Sequence, residues 1–587
     1  MARVIKAVWL LFAVALGVQA RAGADFGRYS EWPKAFSSSN ILRIKSTVLS
    51  PVGVPMTHWS HAPGLITDAI ARTLIIVPSA SVGIHAAAWL SAIAFWWAMI
   101  GIARLVTRGD PPLFAWALAA AFIGTQAGFY SIFHSSEIFS LATFAVAMFW
   151  ALSAGPARLR DSLIIGIACG LLLIVRVNLA MYVLLPLSTR VIVVWRGHGN
   201  RLNRAAVLHA FALGLPLLVY GAQLLVFNYW MTGSASKSPY VYGDETFRSV
   251  DFAHPMIGTM LFHSWHGLLT YHPLFALGVI ALAALAVRRD SPLAERLLAG
   301  GALLALLAQL YVQASWWCWW NGMETFGNRT LSVGAVPVVI GLARWLYLLQ
   351  QSATSRSRIC AVVVLILSAA ACLWSFLLYL QGHTNFFKWQ LLLHAQRDVL
   401  RDPNAFVPVC VALVLSLGFV LFAFRRLRTR AVFAAVSALI ATLAAHGLLI
   451  ELVRGRLSAF GVEHFPPSLL WLMSALAFTV MIYLIADRHA SPNPIPLART
   501  AVAGGLLVIF VVGSWSFYEL AVETKSVIAH STAKPRKYRY RSTMVLDDLL
   551  ACLPEYDLVE GFDARKLTAR RFLEGAALEA RQKITKR

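Results

Sequence analysis

The sequence predicts an all-α fold: a polytopic transmembrane helical bundle of about 13–15 spans, with interfacial helices in its first outer loop and a small C-terminal extension. Three observations predict it. Apolar residues make up 59% of the 587 and charged ones only 13%, against a charged fraction of about 25% in soluble domains. The apolar residues fall in blocks of about 17–25, the length a helix needs to cross about 30 Å of hydrocarbon. Arginines punctuate every second break between blocks, which is the positive-inside pattern and sets the N-terminus, with Arg3 and Lys6, on the cytoplasmic side.

Taken in order, the blocks predict spans over 4–22, 80–103, 112–130, 135–154, 162–176, 178–195, 205–227, 267–287, 297–314, 331–350, 359–380, 407–424, 431–451, 467–486 and 500–520. The first 22 residues also carry the basic, apolar and small-residue pattern of a signal peptide, but a retained first helix suits the loop that follows. Gly64–Val77 is too short and interrupted to span, and predicts a helix lying along the interface or dipping into it. The outward-facing loops, 23–79, 228–266, 315–330, 381–406 and 452–466, are the long ones. The working surface is therefore expected to face away from the cytoplasm. The polar tail from 522 to 587 reads as a small domain or arm.

The formal charge of +24 does not mark a nucleic-acid partner, because the cations are spread between hydrophobic blocks and not gathered on one soluble face. The six cysteines show no CxxC or Cys/His spacing, and His263, His266 and His272 do not fit a metal-ligand pattern interrupted as they are by Pro273. The sequence indicates no metal site and no certain cofactor, and it leaves a divalent cation open.

Polar residues gather at the outer ends of the predicted helices. The first outer loop carries Asp25 and Glu31 in ADFGRYSEW, then His58, Trp59 and His61. Such a mixture can bind a polar ligand at headgroup level, or form an ordinary interfacial belt. Arg176 and Asn178 interrupt LLLIVRVNLAMYVLLP, where the chain reverses near the outer leaflet, and an ionisable group there is a functional candidate. Glu137 opens the fourth predicted helix behind His134, Ser135 and Ser136; the helix dipole alone accounts for it equally well. The densest cluster is residues 313–331, with Trp316, Trp317, Trp319 and Trp320 around Asn321, Glu324, Asn328 and Arg329. Aromatic faces stack on sugars or pack isoprenoid chains, and Arg329 suits a phosphate. The bland alternative is an aromatic girdle.

Together ADFGRYSEW, LLLIVRVNLAMYVLLPL, FHSWHGLLTYHPLF and WWCWWNGMETFGNRTL resemble, over about residues 1–350, the multispanning GT-C glycosyltransferases, nearest the protein O-mannosyltransferase and aminoarabinose-transferase group. The resemblance implies a transmembrane catalytic module over 1–350, additional helices over 351–521 and an appended tail over 522–587. It implies a bacterial inner-membrane enzyme that moves a sugar, with inversion, from a polyprenyl-phosphate donor to a glycan, lipid or protein acceptor on the outer (periplasmic) face. It makes Asp25 the general base, although relatives often pair two acids there and here Phe26 follows. Glu31, His58, His61, Glu137, Arg176, Asn178, His266, Trp320, Glu324, Asn328 and Arg329 are then donor- or substrate-binding candidates. A lipid or sugar transporter or flippase, and an oligosaccharide ligase or polymerase, are the competing expectations.

Overall fold

The computed structural model describes residues 21–22, 31–44, 50–55, 60–74, 80–107, 122, 124–199, 201, 203–237, 239, 252–253, 255–263, 266–315, 326–352, 365, 368–369, 371–372, 375 and 496–530. The expected spans 407–424, 431–451 and 467–486, and most of 4–22, 112–130 and 359–380, lie outside them. Among the described residues, seven helical segments are long and apolar enough to cross a membrane: Gly83–Val106, Ser136–Ser153, Val177–Gly197, Arg204–Thr232, Leu293–Ala314, Arg329–Leu349 and Val502–Ala529. The chain is a multi-pass membrane protein of helical architecture, as its composition requires.

We number the helices α1 (Glu31–Ser37), α2 (Ala62–Leu74), α3 (Ala80–Val106), α4 (Gln126–Ile132), α5 (Ser136–Ser153), α6 (Leu159–Val175), α7 (Ala180–Gly197), α8 (Arg204–Thr232), α9 (Ile257–Phe262), α10 (Leu268–Tyr271), α11 (Leu274–Val287), α12 (Leu293–Ala314), α13 (Ala335–Ser352) and α14 (Pro496–His530). Short 3-10 turns cover Val177–Leu179 and Arg329–Gly334. Two short strands, β1 (Arg21–Ala22) and β2 (Phe133–His134), pair in parallel with Ala22 opposite His134.

Close packing explains the arrangement, since lipid supplies no hydrophobic drive between helices and contact between them must come from small residues and fitted shapes. In α6, an added Cβ at Gly166 would lie 2.5 Å from the Leu213 carbonyl oxygen, and one at Gly170 would lie 2.5 Å from the Tyr220 ring. Glycine there lets α6 and α8 touch. At Gly101 of α3 the Phe149 ring of α5 occupies the same kind of notch, beside a Trp97–Phe149 edge contact at 4.6 Å. Arg190 ties the far end of the bundle. Fully buried on α7, it donates to Ser162 Oγ at 2.8 Å and to the carbonyls of Gly155 and Arg158 at 2.9 Å each.

The structure adds detail to three expectations. The first-loop helix α2 is packed into the protein: Ala62, Leu65, Ile66 and Ala69 are buried, Gly64 packs on Trp32, and Leu65 lies against Gly513 of α14. The predicted span 267–287 is broken into α10 and α11 at His272–Pro273, where a proline without an amide proton cannot continue the hydrogen-bond ladder. The polar tail expected from 522 begins as helix, because α14 continues to His530 with Val527 and Ile528 against the Trp32 core.

The polarity of α14 follows from its contacts. Tyr220 meets Phe510, Gln223 donates to Ser514, and Trp230 stacks on Phe517, so α14 and α8 ascend in parallel. Both leave the bundle at the end where the first loop sits. There Arg72 of α2 joins Asp68 at 2.9 Å, Glu519 of α14 at 2.8 Å and the Phe36 carbonyl at 3.1 Å. Helices α14 and α8 thus bracket the first loop. In membranes from cells making single-cysteine variants, Lys525→Cys is expected to react with an impermeant maleimide together with Ser236→Cys, and not with Arg201→Cys. Labelling of Lys525→Cys with the Arg201→Cys group would reverse the polarity of α14.

Candidate functional site

The site is assembled where four chain segments end on one side of the bundle. The carboxylate of Glu137 enters from the first turn of α5, where Ser135 stands at the N-cap in an extended conformation. An acid there meets the positive end of the helix dipole and unpaired amides. Its Oε2 accepts from Ser135 Oγ at 2.5 Å and, at 3.4 Å, from Ser136 Oγ.

Arg176 arrives from the turn between α6 and α7. Its backbone is extended, with φ −153° and ψ 98°, which ends α6 and turns the side chain toward α5. The guanidinium ion-pairs with Glu137 Oε1 through Nη2 and donates from Nε to Ser136 Oγ at 3.1 Å. Arg329 comes from the opposite direction, at the start of the 3-10 turn that leads into α13, and its Nε lies 3.6 Å from the same Glu137 Oε1. The acid is 1% exposed, whereas Arg176 and Arg329 are 11% and 14% exposed. Glu137 lies deepest and the two cations nearer the surface. Guanidiniums bind anions with several oxygens, such as phosphates, through their planar forks.

The first loop docks beside this cluster. Ser60 donates to the carbonyl of Ile174, two residues before Arg176. The β1–β2 pairing holds the chain at Ala22 against His134, three residues before Glu137. His134 is itself buried, with Nδ1 2.9 Å from His85 Nδ1, and burial lowers its pKa to about 3, so it is neutral.

Of the residues expected from the sequence, Glu137, Arg176 and Arg329 are brought together. Asn328 is buried next to Arg329, where its Oδ1 accepts from Thr330 Oγ1 at 2.6 Å. Others are directed elsewhere. Glu31 pairs with Lys34 within α1 at 2.9 Å. His61 is fully buried in an aromatic cage, with ring centroids 5.9 Å from Trp32 and 5.0 Å from both Phe227 and Phe517. Burial lowers its pKa to about 3, partly opposed by Gln223, so it supplies no cation for an anionic ligand. Asn178 is half-buried in the turn after Arg176, and no contact joins it to Glu137. His266 is fully buried between α9 and α10. Asp25, His58, Trp320 and Glu324 lie outside the described residues.

Sequence reasoning missed Gln126, because an amide at the start of a short helix carries no pattern of its own. It is fully buried and donates from Nε2 to the Phe326 carbonyl at 3.2 Å, beside the strand of chain that delivers Arg329.

Two outcomes follow from this geometry. Glu137→Gln removes the buried carboxylate that two half-buried cations share and is expected to lower stability by about 3–5 kcal/mol, read as a fall in Tm of the protein in nanodiscs. For His61, burial holds the folded pKa at about 3, below the ordinary histidine value of 6.5. The unfolded chain therefore binds the proton first as pH falls, and stability is lost from about 6.5 downward. Acidification to about pH 5 costs about 2 kcal/mol through this group, so His61→Phe should show a smaller drop in Tm between neutral and acidic buffer than the parent.

No protein-family model matches the chain, and no curated protein does. Among solved structures it is similar to the crystal structure of ArnT from Cupriavidus metallidurans in the apo state, with 13% identity, a TM-score of 0.40, and coverage of 83% of this chain and 76% of that one.

Proposed function

We propose that the chain is a membrane glycosyltransferase of the GT-C type, which takes a sugar from a polyprenyl-phosphate carrier and transfers it to an acceptor at the outer face. The observation that carries this reading is the Glu137–Arg176–Arg329 cluster: two half-buried guanidiniums, delivered from distant segments, oriented by one buried carboxylate.

The chemistry needs such a cluster. A sugar joined to a polyprenyl phosphate is a diester with one negative charge. As the acceptor oxygen bonds to the anomeric carbon, the bond from that carbon to the phosphate oxygen breaks, and the leaving polyprenyl phosphate takes the electron pair and gains a second charge. Arg176 and Arg329 stabilise that growing charge. They are already oriented, so no reorganisation is required when it appears. The acceptor hydroxyl proton goes to a carboxylate on the opposite face of the sugar, which accounts for inversion.

Asp25 is the base in this reading. Ala22 is anchored opposite His134, and three further residues of chain reach at most about 11 Å. This tether supports a position for Asp25 near the segment that carries Glu137. Glu137 itself is not the base: it is 1% exposed and is engaged by both arginines. The isoprenoid chain would lie along the lipid-exposed helix walls.

Lipid-linked sugars extracted from a strain lacking the protein are expected to accumulate one polyprenyl-phosphate sugar, which identifies the donor for assay in membranes. With that donor, Arg329→Ala should lower kcat by about 100-fold or more, and Asp25→Asn should abolish transfer at normal protein levels. Full transfer by Asp25→Asn removes Asp25 as the base. Movement of intact lipid-linked sugar across the bilayer without transfer would assign a flippase instead.

A further inference from the structure

The chain that delivers Arg329 to Glu137 is held at one point, three residues upstream. Gln126, the first residue of α4, is fully buried and donates to the Phe326 carbonyl at 3.2 Å. Its own backbone is fixed by Thr125, whose hydroxyl caps α4 by accepting from the Ala127 amide at 3.2 Å. His272, at the break between α10 and α11, is also fully buried; its ring faces that carbonyl without closing an aligned hydrogen bond, and its centroid lies 4.8 Å from the Phe326 ring. Phe326 is in turn enclosed by Phe129 and Tyr271, at 5.3 and 5.9 Å.

The next residue turns the chain. Gly327 has φ +60°, a left-handed conformation in which a side chain is strained. A Cβ built there would stand 2.5 Å from His272 Nε2 and 3.0 Å from Gln126 Nε2. The two side chains thus fill the notch that the glycine leaves open. Asn328 and Arg329 follow directly.

From this geometry we propose that Gln126 and His272 are positioning residues for Arg329: by gripping Phe326 and Gly327 they set the direction in which its guanidinium meets both Glu137 and an incoming phosphate. Neither residue touches the phosphate. The proposal rests on the reading of the Glu137 cluster as a phosphate site. Fixing the backbone near an arginine matters because its planar fork recognises phosphate only when correctly oriented, and a shift of about 1 Å at a site costs about 100-fold in some enzymes.

The test uses the full chain in phosphatidylcholine nanodiscs, with a long-chain polyprenyl monophosphate as probe, its binding followed by the phosphorus NMR shift and by titration. Arg329→Ala is expected to weaken binding by about tenfold or more. Gln126→Met, of similar size but without a donor, is expected to weaken it by about three- to tenfold and to move the bound phosphorus resonance. The double variant should bind no more weakly than Arg329→Ala alone, because a positioning residue has nothing left to position. Gly327→Ala, which pushes on His272 and Gln126, should behave as Gln126→Met does. Losses that add in the double variant, or parent-like binding by Gln126→Met with an unmoved resonance, would overturn the positioning role. If Arg329→Ala binds as the parent does, the phosphate reading fails and takes this proposal with it; if it weakens binding while Gln126→Met does not, the positioning role alone fails. Tm is measured alongside, and if Gly327→Ala fails to fold, Gln126→Met carries the test.

Discussion

A carboxylate that is 1% exposed at the membrane end of a helix has to be paired, and the way Glu137 is paired organises this end of the molecule. Removing such a charge from water costs several kcal/mol, which only nearby cations and donors offset. The partners come from three places far apart in the chain: Ser135 and Ser136 on the same turn, Arg176 from the α6–α7 corner and Arg329 from the start of the α13 segment. Each must be delivered by its own scaffold. The Gly166 and Gly170 contacts set α6 against α8, and the grip of Gln126 on Phe326 sets the approach of Arg329.

The first loop is built into the same region. Trp32, His61 and Leu65 are buried among residues of α8 and α14, and the Arg72–Glu519 ion pair joins α2 to the last described helix. A helix more than four hundred residues away from α2 in sequence thereby helps form the wall of the loop in which Asp25 occurs. Helix α14 therefore shares a core with α2, α6 and α8, on which it packs. Burial also changes what the histidines contribute. His61 reads in the sequence as a polar loop residue beside Trp59, yet inside its aromatic cage it is a neutral packing group.

The two ends of the bundle use buried charge differently. Arg190 satisfies backbone carbonyls and a serine, binding one corner tightly to the helix beside it. Arg176 and Arg329 remain partly exposed and share one acid. A guanidinium whose donors are already engaged offers little to a ligand, whereas partly exposed guanidiniums can present theirs to an anion.

Composition and the spacing of arginines determined that this chain is helical and crosses a membrane many times, because a bilayer accepts only segments whose backbone is satisfied internally. Arg176 stood out within its apolar run, since a charge next to hydrocarbon is costly; Glu137 had the helix dipole as an equal explanation, and Arg329 was a candidate through its place among the loop tryptophans. What the sequence left open was that these three meet, that His61, Glu31 and Asn178 do not join them, and that Gln126 stands behind Arg329. Those outcomes depend on contacts between segments separated by tens to hundreds of residues. Local periodicity records which way a helix faces, but not which neighbour it faces; only the packed helices, through glycine notches and helix breaks such as His272–Pro273, decide that.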